Sequence, residues 1–264
     1  MNDLSENFRS SWGIVLGASS GFGAAACRAY AKAGMNIIGI HLDRKSTIEN
    51  VKVLEKELLA SDVKCKFYNV NAADEVKRKE ILTEIEAETK GKVALLFHSL
   101  AFGTLLPFIE SDATKRLTKA QIDMTLDVMA NSLVYWAQDL SSGGYFKKGA
   151  AIYAMTSAGS SRVWKSYGAV SAAKSALESH CRQLALELAP QGVRVNAILA
   201  GVTDTPALRK IPGNESMIEV AKKRNPMGRL TTPEDIAQVV WTAFNLPDST
   251  VLEEILLRPM LGDL

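Results

Sequence analysis

Tyr167 and Lys174 stand seven residues apart near the start of a long helical stretch. At about 3.6 residues per turn that is almost two turns, so the two side chains share a face, about 10 Å apart along the axis. A lysine so placed can grip ribose hydroxyls, and its charge favours phenolate character in a nearby tyrosine, which then serves as an acid or oxyanion partner. A packed tyrosine beside a solvated lysine has the same spacing, so the pair alone decides little. Ser157, ten residues before Tyr167, closes the apolar run Ala150 to Met155. A side chain at the carboxyl end of a parallel strand faces the ligand crevice, although on its own Ser157 also reads as a loop-capping hydroxyl.

A second group lies upstream. After the apolar run Gly13 to Leu16 comes Gly17-Ala18-Ser19-Ser20-Gly21-Phe22-Gly23, leading into a helix that begins near Ala24. Glycines at a strand-to-helix turn let the backbone bend sharply and approach a pyrophosphate, whose charge the helix N-terminus stabilises. The spacing is G-x3-G-x-G, and a tight turn without a ligand is the plainer alternative.

These groups need a scaffold, and the pattern supplies one. Val- and Ile-rich runs at Gly13 to Leu16, Asn36 to Ile40, Val63 to Tyr68, Val93 to Phe97, Ala150 to Met155, Val193 to Ile198 and Val251 to Leu257 are predicted strands. Between them lie helical stretches at Gly23 to Ala33, Thr47 to Ala60, Asp74 to Lys90, Lys119 to Leu140, Tyr167 to Ala189 and Pro233 to Leu246. Continuously apolar strands alternating with helices predict a doubly wound, Rossmann-type parallel sheet with helices on both faces, in a single α/β domain spanning 1–264. The segment Gly201 to Arg229, with Pro206, Pro212 and Pro226, is predicted to be an irregular loop covering the substrate.

The chain has 264 residues, 47% of them apolar, enough for one sizeable core without staples. Lys and Arg total 31 against 29 Asp and Glu, a net charge of +2, and the signs alternate along the chain. That excludes a nucleic-acid stripe and a polybasic membrane patch and points to a small-molecule ligand. Cys27, Cys65 and Cys181 are widely spaced with no metal-ligand pattern, so no metal is expected and all three are predicted to be reduced core residues. The start, Met1 to Trp12, is polar, with Asp3 and Glu6, and has no apolar stretch of signal-peptide or membrane-span length, so a cytoplasmic location is expected.

The glycine turn, Ser157, the Tyr167/Lys174 pair and the run Gly192-Val193-Arg194-Val195-Asn196-Ala197 resemble the short-chain dehydrogenase/reductase family over roughly residues 11 to 247. Most members place the active tyrosine four residues before the lysine, where this chain has Val170. Tyr-x6-Lys is instead the spacing of the family's enoyl-acyl-carrier-protein reductases. His98-Ser99-Leu100-Ala101-Phe102-Gly103 is similar to their segment after strand four, and Ala200-Gly201 to the one after strand six. The stretches Asp204 to Pro212 and Asn225 to Arg229 look like the substrate loop of the NADPH-using branch called enoyl reductase III. Many enoyl reductases carry a second tyrosine where Ser157 stands, and most members end in Val-Asp-Gly-Gly where this chain has Leu256 to Gly262.

The resemblance implies catalysis by Tyr167, Lys174 and Ser157. It also implies a cofactor site of Gly17, Ser19, Ser20, Gly21, Phe22, Gly23, His41, Arg44, Asn69, Val70, Ser99, Leu100, Ala101, Lys174, Gly201, Val202 and Thr205. Asn69 and Val70 would meet the adenine, and His98 would shape the nicotinamide pocket. His41 takes the place of the acid that binds an NAD ribose, and Arg44 and Lys45 follow. Cationic partners suit a 2′-phosphate, so NADPH is favoured over NADH, although Asp43 would repel that phosphate if it turned inward.

The activity implied is NADPH-dependent reduction of an enoyl thioester in fatty acid synthesis, with the acyl group on acyl carrier protein or coenzyme A. A carbonyl reductase or alcohol dehydrogenase, such as a 3-ketoacyl thioester reductase, is the second reading, and a non-catalytic dinucleotide-binding protein the third. The apolar residues of Lys119 to Leu140 and of the helix after Tyr167 cover more than one face, which with the resemblance predicts a homodimer, and a tetramer beyond it.

Overall fold

The computed structural model describes residues 8–245 and 255–257. Its strands are β1 (Trp12–Leu16), β2 (Asn36–His41), β3 (Cys65–Asn69), β4 (Val93–His98), β5 (Phe146–Thr156), β6 (Arg194–Ala200) and β7 (Ile255–Leu257). They form one parallel sheet in the order β3-β2-β1-β4-β5-β6-β7. Every residue of β1, β2 and β4 is buried, as a central strand covered on both faces must be.

Alternation along the strands feeds two cores. Ile14, Leu16, Ile40 and Leu96 pack with α3 (Glu75–Thr89), α5 (Ser132–Ser142) and α6 (Gly168–Leu188) on one face. Val15, Ile37, Leu95 and Phe97 pack with α1 (Gly21–Lys32), α2 (Ile48–Leu59) and α8 (Pro233–Phe244) on the other. Because β1 has β2 on one side and β4 on the other, the chain reverses its winding direction there, and a crevice opens beyond the carboxyl ends of β1 and β4.

Two predicted elements differ in detail. The stretch Lys119 to Leu140 is not one regular helix: a π turn at Asp127–Asn131 separates α4 (Lys119–Leu126) from α5. Ser132, just after the π turn, donates its hydroxyl to the Val128 carbonyl at 2.8 Å and receives a bond from His98. Such turns widen a helix by one residue, a change that the apolar periodicity does not register. The segment 201–229 is also more regular than its prolines suggest, with a 3-10 turn at Leu208–Lys210 and an eleven-residue helix, α7 (Asn214–Arg224). α7 buries no residue in the core, which is why a core-seeking pattern missed it.

Cys27 and Cys181 lie in the core as expected, but Cys65 on β3 is only half-buried. Among the described residues no helix is long and apolar enough to cross a membrane. The tail after Leu257 lies outside the described residues.

Candidate active site

Leu16 ends β1 opposite His98 at the end of β4, and the two chains stay together beyond the sheet, with Ser99 N–H donating to Leu16 O at 2.8 Å. Gly17 follows with φ +88°, and a Cβ there would stand 2.4 Å from Ser99 O, so only glycine fits this turn. Gly23 packs against the same turn, since a Cβ on it would lie 2.0 Å from Gly17 O. α1 starts at Gly21 with Ser20 extended and no side-chain cap, leaving its first N–H groups directed at the crevice.

The crevice is a cleft of about 940 Å³. Gly17, Ser19, Ser20, Gly21, Phe22, His41, Arg44, Val70, Ser99, Leu100, Ala101, Ser157, Tyr167, Lys174, Gly201, Val202 and Thr205 all line it. Two residues expected in the cofactor site do not. Gly23 is buried behind the turn and acts by letting α1 approach Gly17. Asn69 turns its amide to the backbone of Asp43, accepting from Asp43 N at 2.9 Å and donating to Asp43 O at 3.0 Å, and so holds the loop after β2. His98 does not reach the cleft either. It is fully buried, with Nε2 2.9 Å from Ser132 Oγ; the Ser132 proton is committed to Val128 O, so His98 is the donor. Burial, followed by the nearby Lys174 charge, pushes the His98 pKa down to about 3, making it a neutral brace between β4 and α5.

At the other end of the cleft, Lys174 is 5% exposed, and its Nζ donates to Met155 O at 2.7 Å and Leu100 O at 3.3 Å. Desolvation pushes its pKa down to about 8. Tyr167 is the residue preceding α6, with Ser166 before it in the left-handed region at φ +62°. That turn sends the Tyr167 side chain back toward β5, where its hydroxyl donates to Ser157 Oγ at 3.4 Å. Ser157 Oγ also accepts from Gly159 N at 3.1 Å. Burial raises the Tyr167 pKa above that of an ordinary phenol, against a smaller lowering by the Ser157 bond. The phenolate character expected from the Lys174 charge is thus not what the site favours; the amine serves two carbonyls, and Tyr167 stays a neutral donor.

Several lining residues escaped the sequence reading because they belong to no motif. Val128 and Met129 come from the π turn and Leu105 from the loop after β4; Phe102, in the family-like segment after β4, and Ile211, Met217 and Val220, in the segment predicted to cover the substrate, line the cleft as well. Together they make much of the cleft wall apolar. Asp43 lines the opposite end. Its Oδ2 lies 3.0 Å from His41 Nδ1, and although burial opposes ionisation, bonds from Thr47, Ser19 and His41 bring its pKa below the ordinary carboxylate value. The condition noted from sequence, an inward Asp43, is therefore met.

The uncapped helix, the left-handed Gly17 and a cleft of this volume lined by both Asp43 and Tyr167 fit a nicotinamide dinucleotide. A family model described as "Enoyl-(Acyl carrier protein) reductase" matches residues 17–246. The chain is 30% identical over 250 residues to glycine betaine reductase ATRR of Emericella nidulans, covering 93% of this chain and 18% of that protein. It is 29% identical over 174 residues to the enoyl-acyl-carrier-protein reductase [NADH] FabI of Aquifex aeolicus, covering 66% of this chain and 61% of that one. This chain therefore spans less than two thirds of the length of either relative. A short-chain dehydrogenase from Burkholderia cenocepacia, solved in complex with NADP, superposes with a TM-score of 0.77 at 22% identity over 95% of this chain and 97% of that one. The family model, which matches most of the chain, and the fold agree that the chain belongs to the short-chain dehydrogenase/reductase family.

Proposed function

We propose that the protein reduces the α,β double bond of an enoyl thioester, using NADPH by preference. The observation that carries this reading is the source of the cleft hydroxyl. It comes from Tyr167 at the mouth of α6, while the position four residues before Lys174 is the buried aliphatic Val170. When bound, the reduced nicotinamide supplies a hydride to the β-carbon. Tyr167, held as a neutral phenol, donates a hydrogen bond to the thioester oxygen as negative charge grows there, a contact that strengthens toward the transition state. Ser157 accepts the Tyr167 proton in the free site and keeps the phenol aimed at the carbonyl position. Lys174 holds the ribose, and a proton from solvent completes the α-carbon.

The apolar surface of Phe102, Leu105, Ile211 and Met217 suits an acyl chain, and acyl carrier protein is the proposed carrier, in fatty acid synthesis in the cytoplasm. The tested pair is crotonyl and acetoacetyl thioester, each with NADPH and NADH, followed by absorbance of the reduced cofactor. Oxidation of cofactor with the crotonyl substrate supports the proposal. Turnover of acetoacetyl thioester alone would establish a carbonyl reductase, in which Tyr167 gives up its proton to the alkoxide.

Arg44, exposed at the cleft, supports NADPH as the partner of a 2′-phosphate. The inward carboxylate of Asp43 favours NADH instead, since an acid at the end of β2 suits a free ribose hydroxyl. A dimer through α4, α5 and α6 is also proposed. Within the chain Met129, Leu133, Trp136, Leu177 and Leu184 are already buried, leaving Leu126, Tyr135 and Ala176 half-buried and Ala172 exposed for a partner. Light scattering that returns a mass near 57 kDa, about twice the 28.6 kDa chain, supports it, and a monomer at micromolar concentration rejects it.

A further inference from the structure

Burying an ammonium group costs several kcal/mol unless an opposite charge or full hydrogen bonding compensates. Lys174 has two carbonyl partners, from β5 and from the loop after β4, but a carbonyl carries no charge. The titratable groups around the amine come from two elements, His98 on β4 and Glu178 and Cys181 along α6, with Tyr167, the residue before α6, lining the same cleft. His98 is a neutral imidazole, Tyr167 a neutral phenol, and burial pushes the Cys181 thiol up to about 12. Glu178, one helical turn beyond Lys174, is the carboxylate of that set.

Glu178 has a second engagement. Its Oε1 accepts the hydroxyl of Thr156 at 2.5 Å. Thr156 is the last residue of β5, between Met155, whose carbonyl receives the Lys174 amine, and Ser157, whose hydroxyl receives Tyr167. One carboxylate on α6 thus pins the strand end that holds both other site contacts.

We propose that Glu178 is a positioning residue of this site, acting through Lys174 by keeping its buried amine charged and through Thr156 by fixing the end of β5 beneath it. A neutral amine has two protons to donate where the ammonium has three, so without Glu178 the lysine cannot serve both carbonyls and also reach a ribose hydroxyl. The inference rests on the reading of Lys174 as the ribose ligand for its consequence in binding, but not for the charge coupling itself.

The coupling is read in the free protein by following the titration of Lys174 Cε in protein carrying 13C-labelled lysine. Glu178→Gln keeps an acceptor for Thr156 and removes the charge, and it should lower the Lys174 midpoint. Thr156→Val keeps the charge and should leave that midpoint in place. An unchanged midpoint in Glu178→Gln overturns the proposal. If Glu178→Gln does not fold, Glu178→Asp draws the carboxylate back by one methylene and should lower the midpoint in part; no change there overturns it equally. Fluorescence titration with NADPH and NADH across the same pH range separates the two layers. An affinity that falls as Lys174 deprotonates, earlier in Glu178→Gln, supports both, whereas an affinity indifferent to pH, with the midpoint shifted, rejects the ribose role of Lys174 and leaves the Glu178 coupling standing.

Discussion

The ring of Tyr167 lies directly over Gly159, so close that a Cβ on Gly159 would stand 2.4 Å from the ring edge. The backbone of the turn after β5 therefore acts as the platform on which the phenol rests, while Ser157 of the same turn receives its hydroxyl. Ring and hydroxyl are placed by one short segment.

Gly159→Ala should displace the Tyr167 ring without touching the nucleotide end of the cleft. Turnover is expected to fall on the order of 10²-fold, with cofactor affinity nearly unchanged, because a misplaced acid or oxyanion donor loses its transition-state contact. Stopped-flow rates beside fluorescence titration check this; a variant with full turnover would show that the ring position is immaterial.

Tyr167→Phe should bind cofactor normally and lose on the order of 10²-fold or more in turnover, a loss typical of a positioned donor. Since burial raises the phenol pKa, the midpoint of any loss of rate from tyrosine ionisation should lie above pH 10, the ordinary phenol value. Full activity of Tyr167→Phe on every accepted substrate would remove Tyr167 from the mechanism.

Lys174→Ala should weaken cofactor binding and turnover together. The pH dependence has a definite sign. The Lys174 pKa is about 8 in the folded chain, against about 10.4 unfolded, so the unfolded chain binds more protons between these values. Folding stability contributed by this group should therefore rise from pH 8 to 10.4 while cofactor affinity falls. Chemical denaturation of wild type and Lys174→Met at pH 7.5 and 10 checks it: a wild-type gain over the mutant is expected, and equal pH responses would show that the amine is not desolvated.

Arg44→Ala should raise the Michaelis constant for NADPH more than for NADH, by about 10- to 100-fold, the equivalent of a lost charge-assisted contact of about 1.5–3 kcal/mol. Asp43→Asn should shift preference toward NADPH by removing repulsion. Equal effects of Arg44→Ala on both cofactors would place its guanidinium in solvent, and an unchanged preference in Asp43→Asn would remove the case for NADH.

Gly23→Ala tests packing apart from ligand contact. Its Cβ would meet the Gly17 carbonyl at 2.0 Å, and since a backbone atom cannot step aside cheaply, a loss of about 1–3 kcal/mol is expected. Urea unfolding measures it, and a stability equal to wild type would mean that α1 can shift away from the turn.

The strands, most of the helices and the motif residues were legible because each depends on local pattern: a parallel strand buried on both faces must be apolar throughout, and a turn at φ +88° must be glycine. Spacing also sufficed to bring Ser157, Tyr167 and Lys174 into one cleft, since strand ends and helix starts meet at the same edge of such a sheet. Contacts between distant segments were not legible. That Asn69 serves the Asp43 backbone, that His98 braces Ser132 behind the wall, that the Lys174 amine also donates to two carbonyls and that Glu178 reaches Thr156 all depend on side-chain directions set by packing. The protonation states follow the same division. Sequence identifies which groups can ionise, but desolvation decides which of them do, and desolvation exists only once β4, β5 and α6 have closed around Lys174 and Tyr167.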